Sequence, residues 1–153
     1  MRLNFLCEHH RRSLMASPDA AGELWCNSLD RLEELAPAAT PYRVNLTGSA
    51  LEAAGIYLIA NPACDAIEIA RYVRTALSLV ELLGQLSQDR LVLIVVAGAN
   101  ATLEHLARNG ADSAAAARGR RRLKIEGMRH IDSPRAPLHS LPRESSRSGA
   151  TLH

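Results

Sequence analysis

Three dipeptides, Ser17-Pro18, Thr40-Pro41 and Asn61-Pro62, punctuate the first half of the chain at intervals of about twenty residues. Each joins a side chain that can accept hydrogen bonds from first-turn amides to a proline, whose missing N–H is no loss at the first helical position. Punctuation of this kind commits a chain to helices separated by short turns. The residues in between agree. Behind Pro18, with Asp19 placed to complement the helix dipole, Ala21, Trp25, Leu29, Leu32 and Ala36 recur at helical spacing until Pro37 stops them. Behind Pro41, Val44, Gly48, Leu51, Gly55 and Leu58 recur at steps of three and four, flanked by Ala50, Ala54 and Tyr57. That face is made of small residues, which allow close backbone approach and predict a helix lying inside a bundle. Behind Pro62, Ile69, Val73, Ala76, Val80 and Leu83 form the most regular stripe in the chain, with Arg71, Arg74, Ser78, Glu81 and Gln85 opposite. Ser87 is placed to cap a fourth helix.

The segment around residues 90–107 reads two ways. Leu91 to Ala97 is unbroken apolar sequence rich in β-branched residues, as in a buried parallel strand. As a helix it gathers Val92, Val95, Ala99, Leu103 and Leu106 on one face. A strand needs partners, and among Leu3–Leu6, Arg43–Leu46 and Ile56–Ile59 two fall inside good helical patterns. Length and context therefore favour the helix. The fold class expected is all-α: antiparallel hairpins of four long helices, in a stack or bundle over residues 1–110. A basic Ala/Arg-rich segment (111–132) with room for a short extra helix follows, then a Pro- and Ser-rich tail (133–153) expected to be disordered.

Charge divides along the same boundary. Residues 1–107 carry 8 Arg against 12 acids, a net of −4; residues 108–153 carry 10 Lys plus Arg against 4 acids, a net of +6. The run Arg118-Gly-Arg120-Arg121-Arg122-Leu-Lys124 is the candidate polyanion-binding element, weighed against a merely solvated tail. Nucleic acid as its partner is not favoured: only five aromatics exist (Phe5, Trp25, Tyr42, Tyr57, Tyr72), too few for a base-stacking platform. Three cysteines, Cys7, Cys26 and Cys64, make no disulfide framework and suit a reducing cytoplasm. No run of 18 apolar residues is present, so no membrane span is expected.

Chemistry-bearing patterns are sparse. Cys7-Glu8-His9-His10 holds metal-binding residue types, but no second Cys/His pair follows at zinc-finger spacing, so Cys7 and His10 are weak metal candidates beside a reading as packing and capping groups. Cys7 and His10 as a catalytic pair, Gly98-Ala-Asn-Ala as a phosphate loop and a Ser-His-Asp arrangement all lack the accompanying residues their chemistry requires. No cofactor is implied. The sequence points to a non-enzymatic interaction module that binds a peptide or a partner helix in an interhelical groove, with Trp25, Tyr57 and Tyr72 as candidate anchors. The alternative is a small α/β nucleotide-binding or enzymatic domain with strands at 56–60 and 91–97.

The opening Phe5-Leu-Cys7-x-x-His10-Arg11, with Trp25 on the first long helix, resembles a group of small proteobacterial tetratricopeptide-like helical proteins. The Ala/Gly-rich second helix and the run from Arg71 to Gly84, ending in the Leu83-Gly84 turn, extend the likeness over residues 3–107. The resemblance implies a helical-hairpin array and protein–protein interaction, and brings no catalytic residues with it.

Overall fold

The computed structural model of the chain describes residues 3–132, and every regular element among them is a helix: α1 (Glu8–Ala16), α2 (Pro18–Glu34), α3 (Pro41–Ala60), α4 (Ala66–Gln85), α5 (Asp89–Arg108) and α6 (Ser113–Asp132). The all-helical class is as expected. The count is not: five helices of 17 to 20 residues and a nine-residue α1 stand where four long helices were expected. The tail at 133–153 lies outside the described residues. Residues 56–60 and 91–97, the strands of the α/β alternative, lie within α3 and α5. In α5 the buried residues are Val92, Val95, Ala99, Leu103 and Leu106. Its helical stripe, rather than its local β propensity, is what the core uses.

Two of the expected starts move. Thr40 caps α3 as its sequence suggests, its Oγ1 accepting from the amide of Arg43 at 3.1 Å. At Asn61-Pro62, by contrast, Asn61 closes α3 and Pro62 occupies the turn. The next helix begins four residues later, in a capping box: the Asp65 carboxylate accepts from the amides of Ile67 and Glu68 at 2.9 Å, and Glu68 Oε2 accepts from the Asp65 amide at 3.1 Å. Ser17 stands at the start of α2 without a side-chain cap bond, and its own amide closes the end of α1 on the carbonyls of Ser13 and Leu14. Ser87 ends α4 rather than starting α5. It adopts a left-handed φ of 58°, and its amide reaches the Gly84 carbonyl at 3.0 Å while that of Gln88 reaches Leu83 at 2.9 Å. That is a Schellman closure with serine in the usual glycine position.

α4 is the central element. It packs against α3, α5 and α6, and only the strip Ile67, Ala70, Arg74, Ser78, Glu81 and Gln85 is solvent-exposed along its length. Burial of Leu79, Val80 and Leu83 contributes roughly 1.5–3 kcal/mol each. α2 lies on α3, α1 on both, and α5 on α4. α6 settles against α4 and α5 through small residues: Ala115, Ala116, Gly119, Leu123 and Gly127 are its buried set. A Cβ at Gly119 would come within 2.7 Å of a Val73 methyl, and one at Gly127 within 2.6 Å of a Val96 methyl. Helix starts at 18, 66 and 113, and at 41 and 89, recur at steps of 47 or 48 residues.

Candidate functional site

The three aromatics expected to anchor a partner tie helices together instead. Trp25 is 2% exposed; its Nε1–H donates to Thr75 Oγ1 at 3.2 Å, and the Arg71 guanidinium lies 5.1 Å from the indole centre. Tyr57 is half-buried between α2 and α4, its hydroxyl donating to Glu68 Oε1 at 3.2 Å and its ring centre 6.3 Å from that of Trp25. Burial first, and then the Glu68 carboxylate, raise the Tyr57 pKa above its ordinary value. Tyr72 is 3% exposed, and burial pushes its phenol up to about 12, with a Thr102 hydrogen bond pulling the other way. Trp25 and Tyr72 thus present no surface to a partner. The physical reason is their place on the apolar stripes that build the core.

The basic run has the opposite fate. Within the 111–132 segment, Ser113–Asp132 form α6, whose small residues face the core and whose charges face out. Arg118, Arg120, Arg121, Arg122, Lys124 and Arg129 are all exposed, against Glu126 and Asp132 as the helix's acids. Arg122 Nε donates to Glu126 Oε1 at 2.6 Å, and Arg120 leans 3.9 Å from Glu104 on α5. Arg118, Arg121 and Lys124 have no acidic partner among the described residues. Spacings of three and four put Arg118, Arg121, Arg122, Ile125 and Arg129 on one face. Their side chains line a shallow open trough of about 260 Å³ with Glu126. Ile125 and Met128 expose large apolar surface in the middle of this charge, at 50% and 41%. Across the seam where Gly127 meets Val96, α5 adds exposed Leu93 and Ala97. α5 is long and apolar enough, by length and composition, to cross a membrane, and 28% of its most apolar stretch is buried. Ile125 and Arg129 were signalled by the 118–121–125–129 spacing, whereas Met128 and Leu93 join this face only through the packing of α6 on α5.

A second site lies at the other end of the chain. The residues that lead into α1 are held down by Glu52 of α3. Glu52 accepts from the Phe5 amide through Oε1 and from Arg11 Nη2 through Oε2 at 2.9 Å; Arg11 also donates to Asn4 Oδ1 at 3.0 Å and to the Leu6 carbonyl at 3.2 Å. The Phe5 ring sits directly on Gly48, where a Cβ would lie 2.2 Å from the ring. Cys7 is the N-cap of α1, its exposed sulfur accepting from the His10 amide at 3.5 Å and lying 3.0 Å from His10 Nδ1. Cys7 and His10, the weak metal candidates, do come together. Among the described residues, however, no group of three or more His, Cys, Asp or Glu side chains is placed to hold a metal ion.

Comparison with protein-family models, with curated proteins and with solved structures finds no match to this chain.

Proposed function

We propose that the protein is a non-enzymatic interaction module, a tetratricopeptide-like array of helical hairpins, that receives an acidic amphipathic segment of a partner protein on the outer face of α6 and its seam with α5. The observation that carries this reading is the combination on α6 of Arg118, Arg121 and Lys124, without an acidic partner among the described residues, with exposed Ile125 and Met128, on a helix locked to the core by its other face. Guanidinium groups favour carboxylates in fork geometry, and apolar side chains among them give the partner something to bury. An acidic helix satisfies both requirements at once. The hairpin-array part of the proposal is supported by the recurrence of helix starts every 47 or 48 residues. It is supported also by the packing of each long helix on its neighbour in the chain, α2 on α3, α3 on α4, α4 on α5 and α5 on α6.

A synthetic amphipathic peptide with Glu on one face and Leu on the other tests this. Fluorescence anisotropy with the full chain is expected to give a dissociation constant of about 1–100 μM that weakens as salt is raised. The triple variant Arg118→Glu/Arg121→Glu/Arg122→Glu is expected to lose binding, and Ile125→Ser to weaken it. Equal binding by wild type and triple variant overturns the proposal. So does tighter binding to duplex DNA or to phosphatidylserine vesicles than to the peptide.

A further inference from the structure

We infer that Cys7 is a thiol–disulfide exchange site, with His10 as its base, that takes low-molecular-weight disulfides to form a mixed disulfide on the exposed end of α1. The three cysteines occupy three different environments. Cys64 is 3% exposed, and burial, followed by the nearby Glu68 carboxylate, pushes its thiol up. Cys26 is partly covered on α2. Cys7 alone among the three is exposed, and among the described residues it alone has an imidazole in contact: Sγ to Nδ1 is 3.0 Å, within hydrogen-bond reach. The contact is structural rather than accidental. His10 is one turn after Cys7 on α1, its amide donates to the same sulfur, and α1 is fixed by the Arg11–Glu52 ion pair on the next residue. Cys7 also lines an open concavity with Asn4, Phe5, Glu8, Arg12 and Met15, which gives a small reagent room at this end of α1.

The step balances without any group beyond the incoming disulfide. With the ring proton of His10 on Nε2, Nδ1 accepts the Cys7 thiol proton. The thiolate attacks one sulfur of the disulfide, the Cys7 Sγ–S bond forms and the original S–S bond breaks. The departing thiolate recovers the proton from Nδ1 and leaves as a thiol. Cys7 is oxidised to the mixed disulfide as half of the reagent is reduced, and a second small thiol reverses the change.

The test is peptide-mapped mass spectrometry of the native full chain, sampled over time with limiting oxidised glutathione at neutral pH. Label is expected on Cys7 at least about tenfold faster than on Cys26, with Cys64 labelled last. His10→Gln is expected to slow Cys7 by about fivefold or more while the Cys26 rate in the same molecules stays unchanged. Unaltered circular dichroism of His10→Gln, with that internal Cys26 rate, separates loss of the base from loss of the fold. Labelling of Cys7 no faster than Cys26, or no faster than Cys7 in the urea-unfolded chain, overturns the inference. An unchanged Cys7 rate in His10→Gln overturns it as well.

Discussion

The indole N–H of Trp25 ends on Thr75 Oγ1, 3.2 Å away, and that hydroxyl donates onward to the carbonyl of Arg71 at 2.9 Å. Both residues are buried, so α2 is joined to α4 by a polar contact set inside an apolar core. Replacing Thr75 with Val preserves the volume but leaves the indole N–H without a partner. The expected result is a loss of about 1–3 kcal/mol in urea unfolding, since a buried donor left unpaired carries its full desolvation cost. An unchanged urea midpoint contradicts this role for the pair.

Phe5 lies flat against Gly48, with no room for a side chain between them. Gly48→Ala is expected to push the ring away and to break the hydrogen bond that the Phe5 amide donates to Glu52. Hydrogen exchange at the Phe5 amide reads that release directly, together with a stability loss of about 1–3 kcal/mol. In a double-mutant cycle, Phe5→Ala is expected to cost much less in the Gly48→Ala background than alone. Additive effects contradict the contact.

Ser87 holds a left-handed φ of 58° at the end of α4, a conformation that only glycine adopts without penalty. Ser87→Gly keeps both closing amide bonds and is expected to raise stability by about 0.5–1 kcal/mol. Thermal unfolding checks the sign; a lower midpoint contradicts it.

Tyr72 gives the protein an alkaline limit. Its folded-state pKa stands above the ordinary 10.0, at about 12, because burial disfavours the phenolate. A pKa raised by folding means that the fold prefers the neutral phenol. The resulting stability is complete below pH 10 and is lost as pH climbs from 10 through about 12. Tyr57 and Cys64, also raised chiefly by burial, act with the same sign. Urea midpoints of the wild type are expected to fall more steeply over that interval than those of Tyr72→Phe, which has no phenol to ionise. Parallel pH profiles contradict the assignment.

Much of this architecture was legible because proline, capping residues and apolar spacing act locally. The stripes expected for α4 and α5 are buried throughout, Ile69, Val80 and Leu103 among them. In α3, by contrast, Val44, Leu51 and Gly55 are only partly buried and the flanking Ala50 and Ala54 fill the core, and in α2 Ala36 falls beyond the helix end and is exposed. What stayed hidden depended on contacts between distant segments. α6 was expected to be at most a short helix, because its core face is Ala115, Ala116, Gly119 and Gly127 around the single Leu123. Small residues give almost no hydrophobic periodicity, and glycine reads as a helix breaker, although here it admits the methyls of Val73 and Val96. The N-terminal clamp was invisible for a similar reason: Arg11 and Glu52 are 41 positions apart, and nothing in either neighbourhood announces the other. Trp25 and Tyr72, candidate anchors that also lie on or beside apolar stripes, follow the stripes and are buried.

The central claim is that α6 turns a cationic, partly apolar face outward as the binding surface, and the footprint of a bound acidic amphipathic peptide tests it most directly. Amide and methyl NMR shifts of the full chain, recorded through a titration with that peptide, are predicted to move at Arg118, Arg121, Ile125, Met128 and Leu93, with Trp25 and Tyr72 unaffected. Shifts confined to the exposed strip of α4 from Ile67 to Gln85, or a titration that moves no α6 resonance, would contradict the account.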